Sequence, residues 1–127
     1  MVVSFGAYVM FSVDVERTTA FYRALGLPLE GERHGDGPLH FACDLGGVHV
    51  AVQPGKAGGD PPDERTHRLA GDAFHGYQVP DLQACLDAIP AADLKVEEPA
   101  SMRPWGERVL LRDPDGRVVE LFQPKQG

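Results

Sequence analysis

The chain has no run of basic residues, only two cysteines, and no apolar stretch near the ~20 residues that cross a bilayer. Each shortage excludes something. Against 19 Asp and Glu stand 12 Lys and Arg, a formal net charge of −7. Nothing can neutralise a row of phosphates, so no nucleic-acid partner is expected. No membrane partner is expected either, and the opening MVVSFGAYVMF lacks the basic n-region of a secretory signal. Cys43 and Cys85 sit in apolar patterns, which predicts buried, reduced thiols and a cytoplasmic protein. The dinucleotide fingerprint GxGxxG, the phosphate loop GxxxxGK[ST] and the GxSxG elbow are missing as well. His34, His40 and His67 have no carboxylate at a useful spacing, and His67, in DERTHRL, reads as a solvated linker residue.

What is present is one pattern stated twice. A strand reading fits Phe5 to Ser12, after which Asp14 stands where a helix N-cap belongs. Phe21, Tyr22 and Leu25 then share one side of a helix from Val15 to Leu25, with Gly26 as its C-cap and Pro28 barring its return. The second statement has a strand from Phe74 to Val79, Asp81 as N-cap, Leu82, Cys85, Leu86 and Ile89 at helical spacing, and Pro90 as terminator. More strands follow each helix. Leu39–Leu45 and Val48–Gln53 join at Gly46-Gly47; Arg108–Arg112 and Arg117–Phe122 join at Asp113-Pro114-Asp115-Gly116. Weaker strands are expected near Leu29–His34 and Leu94–Glu97. With 43% hydrophobic residues, this is a single domain: module one at about 5–54, a Gly- and Pro-rich linker at about 55–71, and module two at about 72–124.

The paired modules, with DVERTTAFYRALGL and DPDGRVVELFQP, resemble the vicinal oxygen chelate superfamily of glyoxalases, bleomycin resistance proteins and extradiol dioxygenases. The resemblance covers nearly the whole chain. It implies an α+β fold in which two βαβββ-type modules form a curled sheet, with a cavity on one face and helices on the other. It also implies a homodimer. Metal-dependent members place one ligand on each of four strands. The matching positions here are Ala7, Ala51, Phe74 and Glu120. One carboxylate among four positions does not make a tight site, so no metal and no other cofactor is expected.

Counting by twos from those four positions selects the cavity face. It gives Phe11 on the first strand, His49 and Gln53 beside Ala51, Gln78 beyond Phe74, and Phe122 beyond Glu120. Phe41 joins them as a candidate, although the phase of its strand has no anchor. Three aromatics with a few polar groups have the composition of a small-molecule pocket. In Ser101–Arg108, the only Trp lies between Pro104 and Gly106, bracketed by Arg103 and Arg108. Trp105 suits stacking on a ligand or packing on the sheet edge. The arginines suit an anionic group or Glu120. Three functions stay open: a metal-free binder that sequesters an aromatic or planar compound, as drug-resistance members do; a metal-free lyase, isomerase or cyclase with Glu120 as general base; and a structural or regulatory dimer with a vestigial cavity. Two modules per chain leave sheet edges to cover, so light scattering at micromolar concentration should return twice the chain mass; a single chain mass would refute the dimer.

Overall fold

The computed structural model describes residues 2–126. They form two compact units that divide between Ala57 and Gly58. In the first, β1 (Ala7–Ser12) leads to α1 (Val15–Ala24), then β2 (Glu30–Glu32), β3 (His40–Leu45) and β4 (Val48–Pro54). The second repeats the order with β5 (His75–Gln78), α2 (Leu82–Ala88), β6 (Lys95–Arg103), β7 (Gly106–Arg112) and β8 (Val118–Pro124). The strand–helix–three-strand module and the α+β class hold.

The helix starts are where the aspartates put them. The Asp14 carboxylate accepts the Arg17 amide at 3.2 Å, and Asp81 accepts that of Ala84 at 3.0 Å. Each satisfies an amide that the first turn leaves without a partner. Gly26, at φ +106°, ends α1 in the left-handed conformation that glycine adopts without steric cost. α1 lies against β4, β1 and β3, burying Phe21 and Tyr22 with Met10, Val50 and Val52. α2 lies against β8, where Leu82, Cys85 and Ile89 are buried in a unit that also buries Val109, Val119 and Leu121. Neither Cys43 nor Cys85 is in a disulfide; Cys85 is buried as expected, whereas Cys43 is half-buried.

The curled sheet is overturned. The strands form two separate four-stranded sheets, ordered β1-β4-β3-β2 and β5-β8-β7-β6, and neither curls or closes. Closure would require the outermost strands to hydrogen-bond to each other, and four strands are too few for the tilt and stagger of a barrel. β2, at the edge of the first sheet, has only three residues. The weaker strands also differ from expectation. β2 is shorter than Leu29–His34, and β6 runs on to Arg103, with register shifts between Val96 and Glu98 and between Glu98 and Ser101. The stretch from Ser101 to Arg108 is therefore a tight hairpin with Pro104-Trp105 at its tip.

The 55–71 stretch is largely exposed, with one short turn tied to the sheet. Pro62–Glu64 is a 3₁₀ turn, and Arg112 holds it down. The buried Arg112 guanidinium donates to the Glu97 carboxylate at 2.7 Å and to the carbonyls of Gly116, Pro62 and Arg65. That bond holds the Glu97 carboxyl below the usual carboxylate range. His67, only 17% exposed, has Nδ1 3.2 Å from Glu97, which corrects its reading as a solvated residue. Its carboxylate was out of sight in sequence because it lies on β6, 30 positions away. The Asp113–Gly116 turn forms as its residues dictate. Gly116 has φ +87° and passes so close to Pro62 that a Cβ there would stand 2.6 Å from the Pro62 Cα. No helix among the described residues is long and apolar enough to cross a membrane.

Two outcomes follow from this packing. Arg112→Met should destabilise the protein by about 2–4 kcal/mol, because a half-buried carboxylate and three carbonyls lose their donor; denaturant titration measures it. An unchanged midpoint would refute the role of Arg112 as a staple. His75 gives the second. Its Nδ1 lies 2.9 Å from the Tyr77 hydroxyl, and burial pushes the imidazole from 6.5 down to about 4, with Asp113 opposing and Arg117 assisting. The unfolded chain takes up the proton first as pH falls below 6.5, so stability should fall between 6.5 and about 4 and then level off. The loss reaches about 3 kcal/mol. His75→Gln should flatten that part of the profile relative to wild type.

Candidate functional site

Strand pairing decides which side chains share a face. On β8, Glu120 and Phe122 pair with Gly76 and Gln78 of β5 on one side and with Leu110 and Arg108 of β7 on the other. On β6, Ser101 pairs with Arg108 and Arg103 with Gly106. These residues lie on one side of the second sheet, while Val109, Leu111, Val119 and Leu121 lie on the other and are buried. The 62–65 segment covers the Arg112 end of this face. At the opposite end, Arg103, Trp105, Arg108, Glu120 and Phe122 line a concavity of about 330 Å³.

Its floor carries a closed ion pair. Arg108 Nε donates to Glu120 Oε2 at 3.0 Å, and the charged Nη2 stands 3.0 Å from the same oxygen. Arg108 Nη1 is 3.8 Å from Glu98, whose carboxyl is held below its usual range by the Arg68 guanidinium first and by Arg108 as well. The other Glu120 oxygen faces Gly76, where an added Cβ would come within 3.3 Å. Glu120 therefore holds the Arg108 guanidinium in place through Oε2. Above the floor stands Trp105, 64% exposed at the β6–β7 tip. Gly106, at φ +154°, allows the chain to pass there, since a Cβ would meet the Gln123 carbonyl at 2.3 Å. The arrangement offers aromatic surface, a neutralised charge pair and the cationic Arg103.

The other expected residues fall elsewhere. Gln78 pairs with Phe122 and shares its face, and Phe74 lies exposed one residue before β5. Phe11, His49 and Gln53 belong to the first unit, on one face of its sheet: Ala7 pairs with His49, Val9 with Ala51 and Phe11 with Gln53. Phe41 pairs with Val52 and so lies on the opposite, helix-bearing side, with the Arg23 guanidinium 5.2 Å from its ring centroid. That settles the phase the sequence left without an anchor.

A second concavity, of about 440 Å³, lies within the first unit, lined by Glu32, His34, Gly37, Pro38, His40, His49 and Gln53. Its grouping of Glu32 with His34 and His40 corrects the expectation that these histidines lack a carboxylate. Glu32 and His40 are cross-strand partners in the β2–β3 pair, eight positions apart in sequence. An E-x-H followed at short range by a histidine was the available signal, and only the register gives it meaning.

The four positions that the resemblance matches to metal ligands do not fit a metal ion here. Ala7, Ala51 and Phe74 carry no donor atom, and the one carboxylate, Glu120, has an oxygen committed to Arg108.

Residues 4–121 match the Glyoxalase/Bleomycin resistance protein/Dioxygenase superfamily. Among solved structures, the chain is similar to the genomically encoded fosfomycin resistance protein FosX from Listeria monocytogenes, with a TM-score of 0.65 and 17% identity over 98% of this chain and 96% of that one. It is similar to TnmS3, an antibiotic binding protein from Streptomyces sp. CB03234, with a TM-score of 0.62 and 16% identity over 98% of each chain. It is also similar to a glyoxalase/dioxygenase from Nostoc punctiforme, with a TM-score of 0.73 and 19% identity over 97% of this chain and 92% of that one. At these identities the likeness is one of fold. No curated protein matches the chain by sequence. The repeated module, its two aspartate-capped helices and the extent of the match place the chain in the Glyoxalase/Bleomycin resistance protein/Dioxygenase superfamily, to which it belongs.

Proposed function

We propose that the chain, as a homodimer, binds a small aromatic or planar molecule at the Trp105 concavity, with no metal taking part there. One observation carries this reading: the single Trp stands exposed beside Phe122 over a floor whose charges already neutralise each other. Such a site rewards stacking and shape, and its volume suits a small ligand. The same fold serves a protein described as antibiotic binding and another described as a fosfomycin resistance protein. The alternative is an enzyme using this carboxylate as general base; Arg108 takes up Oε2, so a substrate proton would have to be met at Oε1.

A thermal-shift screen of aromatic natural products and glutathione conjugates supplies the ligand for the test. Trp105→Ala should weaken its binding by about 1–4 kcal/mol, read by calorimetry with the fold checked by circular dichroism. Unchanged affinity would remove Trp105 from the site. Glu120→Gln keeps the shape and removes the charge. A neutral ligand should still bind this variant, whereas wild-type turnover that collapses in it would make the protein an enzyme. EDTA should leave the affinity unaltered.

A further inference from the structure

We propose that the β2–β3 hairpin of the first unit binds one divalent transition-metal ion through Glu32, His34 and His40. These residues differ from the four ligand positions of metal-dependent relatives, and the proposal does not depend on what binds at Trp105.

The geometry is that of a ligand set. The Glu32 carboxylate Oε2 lies 3.3 Å from His40 Nε2 and 3.7 Å from His34 Nε2. One ligand atom from each of the three lies within 4.8 Å of the others. Around a tetrahedral ion with bonds of ~2.0–2.1 Å, neighbouring donors stand roughly 3.3–3.4 Å apart. One edge of that triangle is already in place, and the second is a few tenths of an ångström long. The edge between the imidazoles closes by moving His34, whose side chain is 81% exposed and lies just past the end of β2. His40 is the fixed member. Its side chain is only 9% exposed, and register holds it opposite Glu32. Its Nδ1 faces the Pro38 carbonyl at 3.5 Å. With the proton on that nitrogen, the Nε2 lone pair points toward the carboxylate, the arrangement that outer-shell carbonyls impose on metal-bound histidines.

Two imidazoles and one carboxylate favour Zn²⁺, Ni²⁺ or Cu²⁺ over Mg²⁺ and Ca²⁺, which prefer oxygen donors. Three protein ligands leave a coordination position open. The group lines the concavity that Gly37, Pro38, His49 and Gln53 complete. A water molecule or a donor atom of a bound compound would take that position, so the ion would serve as an anchor for an anionic or chelating small molecule.

The test uses the full chain, free of any histidine tag and stripped with EDTA. Calorimetric titration with ZnCl₂ should show one equivalent bound, and CoCl₂ should develop the intense visible bands of four-coordinate Co²⁺. His34→Ala, which changes a mostly exposed side chain, and Glu32→Gln, which keeps the shape, should each weaken Zn²⁺ binding by more than the ~10–100-fold that loss of an outer-shell partner costs. His67→Ala, in the second unit, should bind as wild type does. The absence of saturable binding at one equivalent would overturn the proposal. So would equal affinity in His34→Ala and Glu32→Gln with circular dichroism unchanged, or a loss in His67→Ala as large as theirs.

Discussion

Each unit sets one helix against a four-stranded sheet, and a sheet has two faces. This constraint governs everything else in the molecule. Side chains alternate along a strand, so the helix claims one set and the other must find a different use. The claimed set is plain: Met10, Val50 and Val52 in the first unit, Val109, Val119 and Leu121 in the second, all buried. The other set contains nearly all the chemistry: Glu120, Arg108 and Phe122 in one unit, His40, Glu32, His49 and Gln53 in the other. A face left without a helix is where aromatic and ionisable side chains can reach a ligand.

In the second unit this face is itself divided. Arg112 binds Glu97 and three carbonyls, and so seats the 62–65 segment over one end. A buried guanidinium needs several acceptors, and the turn at Asp113–Gly116 delivers one of them while Gly116 leaves room for Pro62. The far end stays uncovered, and there the β6–β7 hairpin lifts Trp105 beside Phe122. Arg108, four residues from Arg112 on the same strand and the same face, has a single bonded carboxylate. One arginine fastens the structure; the other lines the concavity with its charge compensated.

The superfamily fold is retained here with Ala7, Ala51, Phe74 and Glu120 at the positions that the resemblance matches to metal ligands. Three of these side chains carry no donor atom, and Glu120 bonds to Arg108. The donors that do converge lie at the β2–β3 edge of the first sheet. A fold sets which positions face a cavity; the side chains at those positions set what the cavity does.

Much was legible in the sequence because it is local. Asp14 and Asp81 cap helices through amides three residues on, Asp113-Pro114-Asp115-Gly116 turns within itself, and strand periodicity separates Glu120 and Phe122 from Val119 and Leu121. The isolated Trp105 between Pro104 and Gly106 marked the concavity for the same reason. Other features depended on partners distant in the chain. Whether the sheets curl is settled by which edges hydrogen-bond, and no strand encodes that alone. The side to which Phe41 points followed from its pairing with Val52. The partners of His67 are on β6. The meeting of Glu32 with His40 required a register set across an intervening loop. Periodicity tells which residues of one strand travel together; only tertiary pairing, which adds hydrogen bonds between segments, decides whose side chains they meet.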